Sequence, residues 1–84
     1  MKIKIDGKEY RAPTAVALID EIKGINWSAT PETDAEGYIA IQADTLKRLW
    51  NKKLILPESD TETRAIAMFK AIASVGAWEF ETEE

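Results

Sequence analysis

The first eleven residues constrain the fold of this chain most strongly. Residues 2–5 alternate charged and apolar side chains, residues 8–11 form a second short segment, and Asp6-Gly7 separates the two. Asp-Gly is a preferred loop of two-residue hairpins because both central residues need positive φ angles. The sequence therefore predicts a β-hairpin. In the register that this loop imposes, Ile5 faces Lys8, Lys4 faces Glu9, Ile3 faces Tyr10 and Lys2 faces Arg11.

Apolar side chains at helical spacing indicate a first helix over residues 15–23, with Thr14 as its N-cap. A second helix is predicted over roughly residues 45–52, where Asp44 is a suitable N-cap. The inward side of this second helix is expected to carry Leu46, Leu49 and Trp50.

The longest helix is predicted over about residues 60–75. Ser59 and Glu62 have the spacing of a capping box at its start, in which each side chain bonds the other's backbone N–H. Apolar residues recur along one side of this segment, as expected for a helix that covers a sheet.

Three further short segments have the character of strands: residues 38–41, 53–57 and 77–81. The lysines of the first strand complement Glu79 and Glu81, so the first and last strands are expected to be neighbours. The predicted fold is α+β, in the order β-β-α-(β)-α-β-α-β, with about three helices covering one face of a small sheet. Residues 1–81 are expected to form one domain, and residues 82–84 a frayed acidic tail.

Composition argues against several classes of protein. The chain has 84 residues, no cysteine and no histidine, so thiol nucleophiles, disulfides and the usual general base are absent. We expect no cofactor, no bound metal and no enzymatic activity. The net charge of −4 has the wrong sign for a general polyanion binder.

One candidate partner-binding site combines a tryptophan with an acidic segment. Trp27 follows the first predicted helix, and Glu32, Asp34 and Glu36 lie shortly after it. Tryptophan is enriched among binding hot spots, although Trp27 also suits the cover of a helix end. The carboxylate spacing resembles the opening of an EF-hand loop, but Ala43 stands where the bidentate glutamate is needed. A solvated acidic turn is the preferred interpretation.

A second candidate site is the basic segment 47–53, which carries cations around a tryptophan. On an exposed helix face these groups suit phosphates, with the indole stacking on a base. The preferred interpretation is a solvated helix face with a buried tryptophan. The candidate nucleic-acid-binding residues are Lys47, Arg48, Trp50, Lys52 and Lys53.

The sequence thus favours a small soluble, cytoplasmic, non-catalytic module that binds an unknown protein partner. A small nucleic-acid-associated regulator that uses segment 47–53 is the alternative. No apolar run approaches the length that a membrane span requires. The chain is expected to be a monomer or a weak homodimer formed through a sheet edge, for which residues 53–56 are one candidate.

Overall fold

The computed structural model describes residues 1–23 and 33–82, which form an α+β fold. Its elements are β1 (Lys2–Ile5), β2 (Lys8–Arg11), α1 (Ala15–Ile22), α2 (Ala35–Trp50), α3 (Thr61–Ser74) and β3 (Glu79–Glu81). The predicted class is confirmed, with a three-stranded sheet and three helices. In these described residues, no helix has the length and apolarity needed to cross a membrane.

The opening hairpin has the predicted register at every position. Ile3 lies opposite Tyr10 and Lys4 opposite Glu9 in an antiparallel pair. Asp6 and Gly7 have φ angles of 52° and 85°, as a two-residue hairpin loop of this sequence requires.

The last strand lies beside the first, so the sheet order is β2-β1-β3. The two strands are antiparallel, with Lys2 opposite Glu81 and Lys4 opposite Glu79. The Lys2 ammonium lies 3.2 Å from the Glu81 carboxylate. The predicted neighbourhood of these strands is therefore confirmed, although the last strand begins at Glu79 rather than at residue 77.

The core lies between the sheet and the helices. α1 packs against β2, α3 packs against β3, and α2 packs against both other helices. Phe69 of α3 stacks on Phe80 of β3 with ring centroids 5.0 Å apart, and it also contacts Trp78 at 6.4 Å. The buried apolar residues are Ile3, Ala15, Leu18, Ile19, Ile22, Tyr38, Ile39, Leu46, Ala65, Met68, Phe69 and Ile72.

The first and last helices begin close to their predicted positions. Thr14 caps α1 by accepting from the N–H of Ala17 at 3.1 Å. The capping box predicted for α3 is wrong. Asp60, not Ser59, is the N-cap and accepts from the N–H of Thr63 at 2.9 Å. The partner expected for Ser59, Glu62, instead bonds to α1.

The middle of the chain differs most from the prediction. Residues 38–41, predicted as a strand, are helical, and the helix predicted to begin at residue 45 begins at Ala35. Asp34 is its N-cap and accepts from the N–H of Gly37 at 2.7 Å. The buried side chains of α2 are Tyr38, Ile39, Gln42 and Leu46. These positions lie on one helix face, so burial against α1 and α3 outweighs the local strand preference.

Residues 53–57 were predicted to be a strand, but no strand is assigned to them. Leu54 and Leu56 are half-buried and pack against the core, whereas Ile55 points away from it. The alternation in the sequence therefore reports alternate burial of an irregular connection between α2 and α3.

Candidate functional site

The C-terminal end of α2 extends beyond the part of the helix that the core covers. Leu46 is the last buried residue of the helix. The side chains of Leu49 and Trp50 follow it and are 67% and 44% exposed. The predicted inward orientation of these two residues is wrong, because the helix begins ahead of its predicted start and is anchored by its earlier turns.

Asn51 ends the helix in a left-handed conformation with φ of 52°. Its N–H donates to the carbonyls of Leu46 and Lys47, and the N–H of Lys52 donates to Leu46 at 3.2 Å. Asparagine adopts this conformation more readily than most residues other than glycine. The turn therefore fixes the direction in which the chain leaves Trp50.

The segment after this turn presents one more large apolar side chain to solvent. Ile55 is 79% exposed, between Leu54 and Leu56, which are both half-buried. Leu49, Trp50 and Ile55 are the only large hydrophobic side chains that are exposed among the residues that the structure describes. All three lie within seven consecutive positions of the sequence. Single exposed apolar residues scattered over a surface are ordinary, but a group of them in one segment is not.

Cations without carboxylate partners occur in the same segment. Arg48 is paired with Asp44 at 2.8 Å. In the described part of the chain, no carboxylate lies within ion-pair distance of Lys47, Lys52 or Lys53. We give the name α2-end surface to the exposed apolar side chains of this segment together with its two exposed lysines: Lys47, Leu49, Trp50, Lys53 and Ile55.

The basic segment predicted for nucleic acid is therefore divided by the end of the helix. Lys47, Arg48 and Trp50 belong to α2, whereas Lys52 and Lys53 follow the turn at Asn51. Lys52 is half-buried and Lys53 is exposed. The structure thus places Trp50 in solvent beside cations, which the sequence had offered as one of two alternatives.

The acidic candidate site is described only in part, since Trp27 and Glu32 lie outside the described residues. Asp34 is engaged as the N-cap of α2. The Glu36 carboxylate accepts from the Thr61 hydroxyl at 2.9 Å and from the Arg64 guanidinium at 3.2 Å. Both described carboxylates therefore already accept hydrogen bonds within the fold, and that of Glu36 links α2 to α3.

The EF-hand-like spacing has a structural explanation. Gly37, which corresponds to the glycine of such a loop, lies in the first turn of a helix, with its N–H bonded to Asp34. A calcium loop needs this segment to wrap around the ion rather than begin a helix. Across residues 1–23 and 33–82, no group of three or more carboxylates is placed to hold a metal ion.

Several other carboxylates are also engaged in local contacts. Asp20 lies 3.1 Å from the Lys23 ammonium. The hydrogen bond from Arg11, at 2.6 Å, lowers the pKa of Glu9 below its usual value. Hydrogen bonds from the side chain and backbone of Thr63 lower the pKa of Asp60. These shifts favour the charged carboxylates, which suits pairing and capping.

Two members of the α2-end surface, Leu49 and Ile55, were not among the predicted site residues. Ile55 was accessible to sequence reasoning, because strict alternation from Lys53 places it opposite Leu54 and Leu56. Leu49 was not, since its helical spacing from Leu46 is also that of a core residue.

Comparison with known proteins finds no matching family model, curated protein or solved structure.

Proposed function

We propose that this chain is a non-catalytic module that binds a protein partner through the α2-end surface. The observation that supports this most is the occurrence, in one short segment, of exposed Leu49, Trp50 and Ile55 together with lysines that pair with no described carboxylate. Interfaces commonly have an apolar centre with an aromatic anchor and a polar rim. A cytoplasmic location is part of the proposal.

The chemistry of the surface favours a partner that is apolar at its centre and acidic around it. Leu49 and Ile55 offer aliphatic area to a complementary side chain. Lys47 and Lys53 have no carboxylate partner among the residues that the structure describes, so carboxylates of a partner gain by approaching them. Trp50 has the area and the indole N–H of a hot-spot residue.

The earlier candidate surface, formed by Trp27, Glu32, Asp34 and Glu36, is less favoured. The Asp34 and Glu36 carboxylates already accept hydrogen bonds within the fold. A partner that recruited them would have to replace those bonds.

Nucleic-acid binding is the second candidate function. It is supported by an indole exposed beside Lys47, Lys52 and Lys53, the groups that single-stranded nucleic acids use for stacking and phosphate contact. The aliphatic side chains of Leu49 and Ile55 contribute little to such a site. The net charge of −4 also opposes approach of a polyanion.

Site-specific photo-crosslinking in cells tests the first proposal. A photoreactive amino acid replaces Trp50, and a matched control carries it at Lys70, an exposed cation on α3 that pairs with no carboxylate of the described residues. We expect defined protein adducts from position 50 and none of the same from position 70. Each captured protein is then purified and its affinity for the wild-type chain is measured directly.

The proposal requires that Trp50→Ala and Lys53→Glu each weaken that affinity by about tenfold or more, while Lys70→Glu leaves it unchanged. Equal adducts from both positions would contradict it.

An NMR titration with short mixed-sequence DNA and RNA examines the second function. Saturable shifts at Arg48, Trp50 and Lys52 that weaken steeply with salt would favour nucleic acid.

A further inference from the structure

The backbone of residues 53–56 is not paired with any strand of the part of the chain that the structure describes. Leu54 and Leu56 hold the segment on the core, while Lys53 and Ile55 are exposed. No backbone N–H or carbonyl of these four positions bonds to any residue that the structure describes. A segment with alternate side chains buried, and with backbone groups that bond to none of the described residues, has the properties of a sheet edge.

We propose that this segment pairs with the same segment of a second copy, antiparallel, to form a two-fold symmetric dimer. The proposal does not depend on the partner-binding role of the α2-end surface. A two-fold axis makes the contact self-complementary, so every cross-strand pair occurs twice or lies on the axis.

The sequence selects one register for this pairing. With Ile55 on the two-fold axis, Ile55 lies opposite Ile55 of the second copy. Leu54 then lies opposite Leu56 of the second copy, on the side that faces the core. Lys52 lies opposite Glu58 of the second copy, and this opposite-charge pair forms at both ends of the ladder.

Pro57 fits this register and determines its hydrogen-bond pattern. Antiparallel ladders alternate hydrogen-bonded with non-hydrogen-bonded residue pairs. Proline has no N–H, so Pro57 and the Lys53 opposite it must be a non-hydrogen-bonded pair. Ile55 is then also at a non-hydrogen-bonded position, and Leu54 exchanges both backbone bonds with Leu56 of the second copy.

Charge makes this segment more suitable for self-pairing than the β3 edge. An antiparallel pair of β3 strands centred on Phe80 would place Glu79 opposite Glu81 of the second copy. Like charges directly opposite each other destabilise a strand pair. In the segment after α2, the central pairs are apolar and the charged pair of the proposed register is Lys52 with Glu58, so like charges do not face each other.

The expected dimer is weak, because the ladder is short and the N–H of Lys52 is already bonded to the carbonyl of Leu46. Sedimentation equilibrium of the purified chain alone, from about 10 μM to about 1 mM, covers the affinity range of such contacts. We expect a monomer–dimer equilibrium within this range. A chain that stays monomeric throughout would overturn the proposal.

Charge reversal tests the register. Lys52→Glu and Glu58→Lys should each weaken the dimer by about tenfold or more, and the double reversal should restore it. Lys70→Glu and Glu21→Lys are matched controls on exposed positions of α3 and α1, and they should leave dimerisation unchanged. Amide NMR spectra verify that each variant remains folded.

Ile55→Asp provides a second test that does not involve the core, because Ile55 is 79% exposed. It places two carboxylates on the axis and should abolish the dimer without loss of the fold. Dimerisation that persists in Ile55→Asp, that ignores the single reversals, or that the double reversal fails to restore would each overturn the proposed pairing. Partner binding is measured separately, so the proposed function can fail while this dimer stands.

Discussion

The Glu62 carboxylate, in the first turn of α3, accepts a hydrogen bond from the backbone N–H of Ala15 at 2.7 Å, and its second oxygen accepts from Val16 at 2.9 Å. These donors are the first two N–H groups of α1, which the helix itself cannot satisfy. One side chain therefore joins the beginnings of α1 and α3, although Glu62 is 47 positions from Ala15 and 46 from Val16 in the sequence.

Glu62→Ala should lower the free energy of unfolding by about 1–3 kcal/mol, because it leaves two N–H groups at the start of α1 without an acceptor. Urea unfolding followed by circular dichroism measures the change. Glu21→Ala, which removes an exposed carboxylate from α1, is the control and should have little effect. Equal losses of stability in the two variants would show that the hydrogen bonds from α1 to Glu62 do not stabilise the fold.

Gln42→Leu should raise the free energy of unfolding by about 1 kcal/mol. Gln42 is 5% exposed, and its amide nitrogen has no hydrogen-bond partner within the described residues. A buried donor without an acceptor costs free energy that an apolar side chain of similar size does not. Thermal and urea unfolding measure the difference, and Gln42→Glu should be strongly destabilising. A loss of stability in Gln42→Leu would mean that the amide has a partner after all.

Asn51→Ala should destabilise the chain by about 1 kcal/mol, since alanine pays the full cost of the left-handed φ of 52°. Asn51→Gly should preserve or increase stability because glycine adopts this conformation freely. Unfolding midpoints of the two variants give the comparison. An alanine variant as stable as the glycine variant would contradict the helix end described here.

Acid should destabilise the fold partly through Asp60. Its pKa is lowered from the ordinary value of 3.8 by hydrogen bonds from Thr63 to the charged carboxylate. A group whose pKa is lower in the folded state contributes stability that is present above its unfolded pKa and is lost as pH falls through the folded pKa. NMR titration of the side-chain carboxyl should therefore give a midpoint below 3.8.

The control for this titration is Asp60→Asn, which keeps a capping acceptor but cannot ionise. Its stability should depend less on pH below about pH 4 than that of the wild type. If the Asp60 carboxyl titrates at or above its ordinary value, the cap does not favour the charged form.

Most of the parts of the fold that were predicted correctly depend on interactions between residues that are close in the sequence. Asp6-Gly7 determines the hairpin and its register, and Thr14 begins α1 where an N-cap is expected. The pairing of β1 with β3 was predicted from a different signal, the complementary charges of Lys2 and Glu81, which are distant in the sequence. Neighbouring residues carry the information for the hairpin and for the start of α1.

The start of α2 was not predicted because its local signals conflict. Gly37 lies in its first turn and disfavours a helix, and Gln42 interrupts the apolar stripe. Asp34 is a clear N-cap only when the packing of Tyr38 and Leu46 on the other helices is known. The hydrogen bonds from α1 to Glu62 could not be predicted either, since no local pattern specifies which helix a carboxylate will cap.

The wrong start predicted for α2 also explains why Leu49 and Trp50 were predicted to be buried. A helix confined to residues 45–52 would need Leu49 and Trp50 for its packing. The observed helix is anchored by Tyr38, Ile39 and Leu46, so its last residues are left exposed. The α2-end surface is therefore a consequence of where the helix begins.

The solvent exposure of Trp50 is the most direct test of this account. A variant with Trp27→Phe and Trp78→Phe retains Trp50 as the single tryptophan, and its emission and acrylamide quenching report on that indole alone. A reference variant retains Trp78, which is half-buried against Phe69. We predict that Trp50, which is 44% exposed, emits at a longer wavelength than Trp78 and is quenched more readily. A blue-shifted, protected Trp50 would contradict the exposed helix end and remove the basis for the proposed binding surface.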